Sequence, residues 1–524
     1  MRPIVVIIAL EVISFGIFSS RLGFYHDDWV LLEDLGKHPG LWNTVLAVAR
    51  SNYGARPASI PIFALLHHLA GEKPLLYHLA LPAFDAAGGV LFYIFLKKVL
   101  KNEAFALLAA CLALIYPVHA ATHHWVTNIA QPAAQALILL SMVLHWGWLE
   151  TGKRAGLAAS MTAYLAGALC YEAGVLLPLM SGAAVLANAR VAGRTLRASA
   201  REALGSLAPF GVVLLIVLFW AKKGMQLVMG YENPKTLALS VPLMLKVMGD
   251  GLDCLTLGML RVCADASAWS LKESTPAGLI LWAVFTIAVA RFLMAAEPAV
   301  APTRKTALKH REAAAHGSLV VILWMGVLGF LAAYVPYALG GYGVKILGLA
   351  GRVNGGAGLS AGLLLAAAIL EVSRRISAPM GLKGSGSVQG ALLAMTVGVF
   401  TATNWTMARH WGDAWKAQME GVERISRRTA ELPGSATLLV LWNQPSFYGA
   451  DMFFLDEPWG FDSALKLKTG RKGMTINLQT PWMTGERAGV IERFGSTVRR
   501  SYSYEDLYQY DMATDKLIKL VPPS

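Results

Sequence analysis

Gly23-Phe24-Tyr25-His26-Asp27-Asp28-Trp29-Val30 follows directly on the first long apolar segment of the chain, where a membrane helix would hand over to water. Two adjacent carboxylates among aromatic rings at such a boundary point to chemistry at the bilayer surface. The plainer reading is a helix end and a polar loop, with Asp27 or Asp28 capping the next helix. The segment before it, Ile4 to Ser19, suits either a signal peptide or a retained first helix. Only Arg2 precedes it, and Phe18-Ser19-Ser20-Arg21 is a poor small-x-small cleavage site, so a retained helix is expected.

Composition supports a membrane reading throughout. The 524 residues are 55% hydrophobic and only 15% charged, with a mean hydropathy of +0.49, whereas ordinary soluble domains carry about 25% charged residues. Spanning helices need roughly 17 to 25 apolar residues. Besides the first, such segments fall at Leu75–Leu96, Glu103–Val118, Gln131–Leu149, Ala155–Cys170, Glu172–Ala187, Leu204–Ala221, Pro276–Met294, Gly317–Leu339, Lys345–Glu371 and Val388–Trp405, about eleven in all. Read as one helix, residues 155–187 would be roughly 50 Å long at about 1.5 Å per residue, too long for a core of about 30 Å. Two spans meeting near Tyr171-Glu172 are therefore expected.

The net charge of +13 could suggest nucleic acid, but the basic residues lie mostly between apolar segments. With a cytoplasmic N-terminus, the inner loops hold Lys97, Lys98 and Lys101; Lys153 and Arg154; Arg190, Arg194, Arg197 and Arg201; Arg304, Lys305, Lys309 and Arg311; and Arg374, Arg375 and Lys383. The outer connections at 118–131, Tyr171 and 340–344 hold none, as the positive-inside rule requires. Lys222 and Lys223 fall outside in a long loop, where that rule is weak. No nucleic-acid partner is expected. This parity puts Asp27, Asp28, Arg56, His119, His123, His124, Glu172 and Arg352 on one exterior face, where ionisable groups near spans are costly and kept for function.

The loop Arg21–Pro74 reads as one or two interfacial helices with Trp29, Trp42 and Tyr53 as belt residues. Residues 236–260 read as another interfacial helix. Of the four cysteines, Cys254 and Cys263 lie outside and could pair, whereas Cys111 and Cys170 read as buried hydrophobes. After Trp405 the pattern changes: Met407–Leu432 has helical spacing, and Ala436–Trp442, Thr475–Leu478, Gly495–Tyr502 and Lys516–Val521 look like strands. The expected architecture is an all-α polytopic membrane domain over 1–405, with a small exterior α/β domain over 406–524. Trp442, Phe447, Tyr448, Trp459 and Trp482 of that domain suit its core better than sugar stacking.

A long first exterior loop with an acidic pair after the first helix resembles the GT-C glycosyltransferases. Tyr116-Pro117-Val118-His119-Ala120-Ala121-Thr122-His123-His124-Trp125-Val126 is similar to the apolar, Pro, x, His run followed by Trp of several GT-C branches, including the mannosyltransferase-like group. Cys170-Tyr171-Glu172-Ala173-Gly174-Val175-Leu176-Leu177-Pro178 resembles that group's Lys-Glu, small, apolar, Pro element, with Tyr171 where Lys is usual. The resemblance implies a multi-pass plasma or inner-membrane enzyme, inverting, that takes sugar from a polyprenyl-phosphate carrier to a glycan, lipid or protein acceptor. It implies Asp27 as base, with Asp28 orienting a cation or the acceptor.

Such transfer needs a base for the acceptor hydroxyl and cationic groups for the departing phosphate. Arg352 and Arg56 are the phosphate candidates, against a snorkelling side chain and a loop salt bridge respectively. His119 and His123, four apart, share a helical face and could bind metal, but without a nearby carboxylate that signal is weak. With His124 they are read instead as hydrogen-bonding substrate or phosphate, against a purely structural role; no cofactor is expected, a divalent metal being the less favoured alternative. Glu172 would hold a histidine or Arg352, or merely cap a helix. The competing class is a transporter or flippase of a lipid-linked glycan, which would place its residues near the midplane on repeated, broken helices; no internal repeat is visible.

Overall fold

The computed structural model describes residues 2–119, 121–224, 240–295, 305–377, 386–442, 458–470, 473–479, 483–486, 489–494 and 497–523. Arg304, Lys383, Phe447, Tyr448, Trp482 and the Trp459 side chain lie outside that set. Among the described residues, nine helical stretches are long and apolar enough to cross a membrane. The first runs from Arg2 to Arg21 and delivers the chain to the acid loop. The expected break at Tyr171 is present: a helix over Arg154–Cys170 stops at an extended Tyr171, and the chain re-enters through a short turn and the helix Leu179–Val191.

The expected span Ala155–Cys170 is the 17-residue helix Arg154–Cys170 and is not among the nine. Two other expected spans differ. Glu103–Leu114 has only 12 residues, about 18 Å of helix, and so cannot cross a core of about 30 Å. It is buried from Phe105 to Leu114, and the irregular chain that follows lies inside the protein. Broken backbone at such depth is tolerated only when its polar groups are met, and later helices meet them. Asn404 donates to the Ile115 carbonyl at 3.0 Å, Asn354 to those of Val118 and Lys345 at 2.9 Å each, and the Tyr116 hydroxyl to Leu255 at 2.5 Å.

The second is Lys345–Glu371. Gly348, at φ +70°, turns the chain into a tight 3-10 turn, Leu349–Asn354, and the helix begins only at Ala357. Arg352 thus sits in a turn and not in a helix. The expected interfacial element over 236–260 is two helices, Val241–Leu255 and Leu257–Glu273; its first residues lie outside the described set. Cys254 and Cys263 are buried free thiols, not a disulfide.

The composition change at Trp405 does not break the backbone. Gly386–Thr429 is one 44-residue helix, so the boundary drawn at 405 falls inside a continuous element. Its far end is fastened to the C-terminal strands by Arg424 donating to the Met512 carbonyl at 2.7 Å and by an Arg428–Asp515 ion pair at 2.5 Å. That region has a sheet in the order β2-β1-β6-β7, from β1 (Thr437–Leu441), β2 (Thr475–Leu478), β6 (Leu507–Asp511) and β7 (Lys516–Lys519), with β1 parallel to β2 and β6. A second, antiparallel sheet joins β3 (Met483–Glu486), β4 (Gly489–Phe494) and β5 (Thr497–Tyr502). Helix Pro458–Thr469 completes an α/β unit. Trp442 packs on Phe461, ring centroids 6.2 Å apart, which is a core position.

The short helix is held by near-contact of backbones. A Cβ on Gly362, in helix Ala357–Ser377, would meet the Ala113 nitrogen at 2.3 Å, whereas one on Gly211 would meet nothing within 4 Å. Gly362→Ala is therefore expected to cost about 1–3 kcal/mol by overpacking and to lower the thermal unfolding midpoint in detergent. Gly211→Ala should leave it nearly unchanged; equal midpoints for the two variants would contradict this packing.

Candidate active site

The acid loop is built by backbone capture. Gly23 to Tyr25 run between the first span and helix Asp27–Gly36, and each neighbouring element takes one of their polar groups. His78 Nε2 lies 2.7 Å from the Gly23 carbonyl, Gln418 donates to that of Phe24 at 2.8 Å, and the Tyr25 hydroxyl donates to the Trp411 carbonyl at 2.7 Å. Tyr25 also meets Trp411 edge to face at 4.8 Å.

His26 then adopts φ +49°, ψ −121°, the first central position of a II′-type turn, which strongly favours glycine. Holding a histidine there costs on the order of 1–3 kcal/mol, and such strain collects at functional sites. The turn points Asp27 and Asp28 different ways. Asp28 goes inward and is wholly buried: one oxygen accepts from the Tyr25 amide at 2.8 Å, the other from the Thr127 amide at 2.6 Å and from the Thr127 hydroxyl. Burial pushes its carboxyl up to about 7 against the pull of those donors. Asp28, expected from the sequence to orient a cation or the acceptor, here fastens the backbone at Tyr25 to that at Thr127.

Asp27 goes outward. Its side chain is 36% exposed, and one oxygen lies 2.8 Å from His26 Nδ1. At the start of a helix it also sits in the favourable end of the helix dipole.

Arg352 reaches the same neighbourhood through an aromatic bridge. Its guanidinium carbon lies 4.9 Å from the centre of the Trp125 ring, and that ring meets His26 edge-on at 5.8 Å. Among the described residues no carboxylate pairs with Arg352, so its charge remains available. Arg56 is committed differently: Nε and Nη2 grip Glu172 at 2.8 and 2.5 Å, and the guanidinium lies 4.1 Å above the Tyr171 ring. Glu172 therefore holds Arg56, not a histidine or Arg352. Tyr171, standing where the resembling motif has Lys, supplies the face on which that arginine rests.

The histidines lie inside the protein, with His119 6%, His123 3% and His124 0% exposed. Burial holds His119 and His124 well below the usual imidazole value, so they are neutral. His123 stacks on Phe15 at 3.6 Å, with Nδ1 3.0 Å from Asp85 and 3.5 Å from Glu11. They are not exposed ligands at the Asp27 opening. Neither acid, nor Thr127, figured among the site residues expected from the sequence. Glu11 and Asp85 did leave a signal there, as solitary carboxylates within long apolar helices.

Helix Pro458–Thr469 covers the acid loop from the other side. A Cβ on Gly460 would strike the His26 carbonyl at 2.7 Å. Ser463 donates to Glu33 at 2.5 Å, and Lys468 pairs with Glu72 at 3.6 Å.

The fold and site define a polytopic helical membrane protein with a buried-acid loop roofed by a small α/β unit. No family model matches the chain. A stretch of 129 residues, 22% of this chain, is 29% identical to Protein O-mannosyl-transferase TMTC2 of Mus musculus and takes in 15% of that protein's length. Among solved structures, the chain is similar to ArnT from Cupriavidus metallidurans bound to undecaprenyl phosphate, at 10% identity and a TM-score of 0.33, over 90% of this chain and 85% of that one.

Two substitutions test the construction. Asp28→Asn can no longer accept at both ends, which leaves one buried amide donor facing another; a loss of about 2–4 kcal/mol is expected, read as a lower unfolding midpoint. Gly460→Ala should displace the His26 turn and lower the midpoint by several degrees. A Gly460→Ala protein as stable as the parent would show that the helix does not press on that turn.

Proposed function

We propose that this chain is a GT-C-type membrane glycosyltransferase that moves a sugar from a polyprenyl-phosphate donor to an acceptor hydroxyl at the exterior face, with inversion. The observation that carries this reading is the run of contacts Asp27–His26–Trp125–Arg352, which links a partly exposed carboxylate to an arginine that has no acidic partner among the described residues. Such transfer needs a base and a cation a sugar's width apart.

In the proposed step the acceptor oxygen attacks the anomeric carbon, the bond from that carbon to the phosphate oxygen breaks, and the polyprenyl phosphate leaves. The acceptor proton passes to the Asp27 carboxylate, one oxygen of which lies 2.8 Å from His26 Nδ1. Arg352 offsets the charge gathering on the phosphate as a planar double donor, while Trp125 limits its swing. Arg56, already neutralised by Glu172, shapes the wall and is not the main phosphate ligand. The match to a mannosyl-transferase supports this reading, as do the motif resemblances. The basic inner loops support an exterior site, with the N-terminus in the cytoplasm.

Purified protein in lipid nanodiscs, given a panel of polyprenyl-phosphate sugars and simple acceptors, is expected to release free polyprenyl phosphate. Asp27→Asn should lower turnover by about 10²–10⁴-fold, the range of general base catalysis, at an unchanged unfolding midpoint. Arg352→Ala should lower it by about 10–10²-fold with a raised donor KM. A folded Asp27→Asn protein with full turnover would overturn the assignment. Movement of intact donor across liposomes without cleavage would favour the transporter class instead.

A further inference from the structure

Three segments that contribute nothing to the proposed transfer step meet in the interior. Glu11 comes from the first span, Asp85 from helix Pro74–Leu100 and His123 from the turn Ala121–His124, and one ligand atom of each lies within 4.8 Å of the others. Glu11 is 0% exposed, and beyond the close approaches within the trio its two oxygens, Asp85 Oδ2 and both nitrogens of His123 have no hydrogen-bond partner among the described residues. A small cavity of about 20 Å³, lined by Asp85, His119, His123 and Gln135 among others, adjoins the group. That is room for about one water or ion. His119 Nδ1 is also without a hydrogen bond, and its ring lies 5.0 Å from that of His123.

Charge makes this arrangement costly as it stands. With both carboxylates ionised beside one imidazolium, the trio would carry a net negative charge in a region of low dielectric, where an unpaired charge costs several kcal/mol. A divalent cation with a neutral imidazole brings the sum to zero. Spacing agrees as well. Oxygen and nitrogen ligands at about 2.1 Å from a tetrahedral ion lie about 3.4 Å from each other; His123 Nδ1 is 3.0 Å from Asp85 Oδ2 and 3.5 Å from Glu11 Oε1.

We infer that Glu11, Asp85 and His123 form a structural site for a divalent first-row metal ion, with His119 or a water as fourth ligand. Two carboxylates and an imidazole suit Zn²⁺, with Mn²⁺ and Fe²⁺ next, since the donor set holds no thiolate and has too few oxygens for Ca²⁺. The ion joins the first two long helices to the histidine turn. That turn leads directly into Trp125, which carries Arg352, and Thr127, which holds Asp28. The metal is therefore a clasp beneath the acid loop, and its existence does not depend on the transfer reaction.

The test uses the full chain, purified without chelator from cells grown with added zinc. Elemental analysis should find about one first-row metal per chain, carried down with the protein after dialysis. The metal should be lost from Glu11→Gln and Asp85→Asn but kept by Asp253→Asn, whose carboxylate lies far out on an exposed helix in a pair with Arg261. Chelator should lower the unfolding midpoint of the parent protein, and Zn²⁺ alone should restore it in a concentration-dependent way. Should the variants fail to fold, Co²⁺ added to chelator-treated parent protein provides the second reading, as visible absorption bands of a low-symmetry site. Substoichiometric metal, no midpoint shift with Zn²⁺, Mn²⁺ or Fe²⁺, and no Co²⁺ bands would mean that the three groups share only a proton, and would overturn the inference.

Discussion

The Asp28 carboxylate fastens two loops that the chain draws from either side of a helical hairpin, and the placement of nearly every group at the site depends on it. An ionisable group with no exposed surface has lost its hydration, and only direct hydrogen bonds can offset that loss. Here both oxygens are engaged, by the Tyr25 amide on one side and by the Thr127 amide and hydroxyl on the other. Because amide donors leave little freedom of direction, the two loops are fixed in mutual register. His26 must then take up its unfavourable backbone angles, and Asp27 must face away from its neighbour.

That register is available only because the helix Glu103–Leu114 stops short. A full-length span there would have carried residues 115–119 and 121–125 out to the far surface. By ending early, it leaves these residues inside, where their carbonyls demand donors from side chains. Asn354, from the turn Leu349–Asn354, and Asn404, from helix Gly386–Thr429, answer that demand. Asn354 itself accepts from the Tyr334 hydroxyl at 2.7 Å. The turn carrying Arg352 is tied in the same way, through Gln131 donating to its carbonyl at 2.8 Å. Early and late parts of the chain are thus joined by the hydrogen-bond needs of one interrupted helix.

Much of this was legible in the sequence, and the omissions have physical causes. Apolar runs reveal spans because the bilayer imposes length, and the break at Tyr171 followed from length alone. The acid loop announced itself by charge at a boundary. The separate duties of Asp27 and Asp28 were half visible, since adjacent residues diverge in any regular structure, but which of them faced inward depends on Thr127, a residue without charge or motif. Glu172 was matched to the wrong cation because both arginines lie far from it in sequence and only packing chooses between them. The 44-residue helix Gly386–Thr429 was divided at Trp405 because polarity changes there, although helical hydrogen bonding is indifferent to whether lipid or water lies outside. The strand β6, central to its sheet, was missed because Leu507-Tyr508-Gln509-Tyr510-Asp511 is neither uniformly apolar nor cleanly alternating.

The C-terminal unit is bound to the membrane domain twice, which constrains what it can do. Helix Gly386–Thr429 joins the two without a linker, and helix Pro458–Thr469 returns to rest on the acid loop, where Gly460 touches the His26 backbone and Lys468 lies 5.7 Å from the centre of the Trp29 ring. A unit tethered at one point could swing as a lid. One held by a stiff helix and a second docking face moves only if backbone contact at Gly460, the Ser463–Glu33 hydrogen bond and the Lys468 contacts all give way together. Two of these contacts are polar and exposed in part, each worth about 1 kcal/mol or less, but the glycine contact is steric and bears on the strained turn itself. The roof therefore belongs to the fixed geometry of the acid loop and leaves the side of Asp27 away from His26 partly exposed.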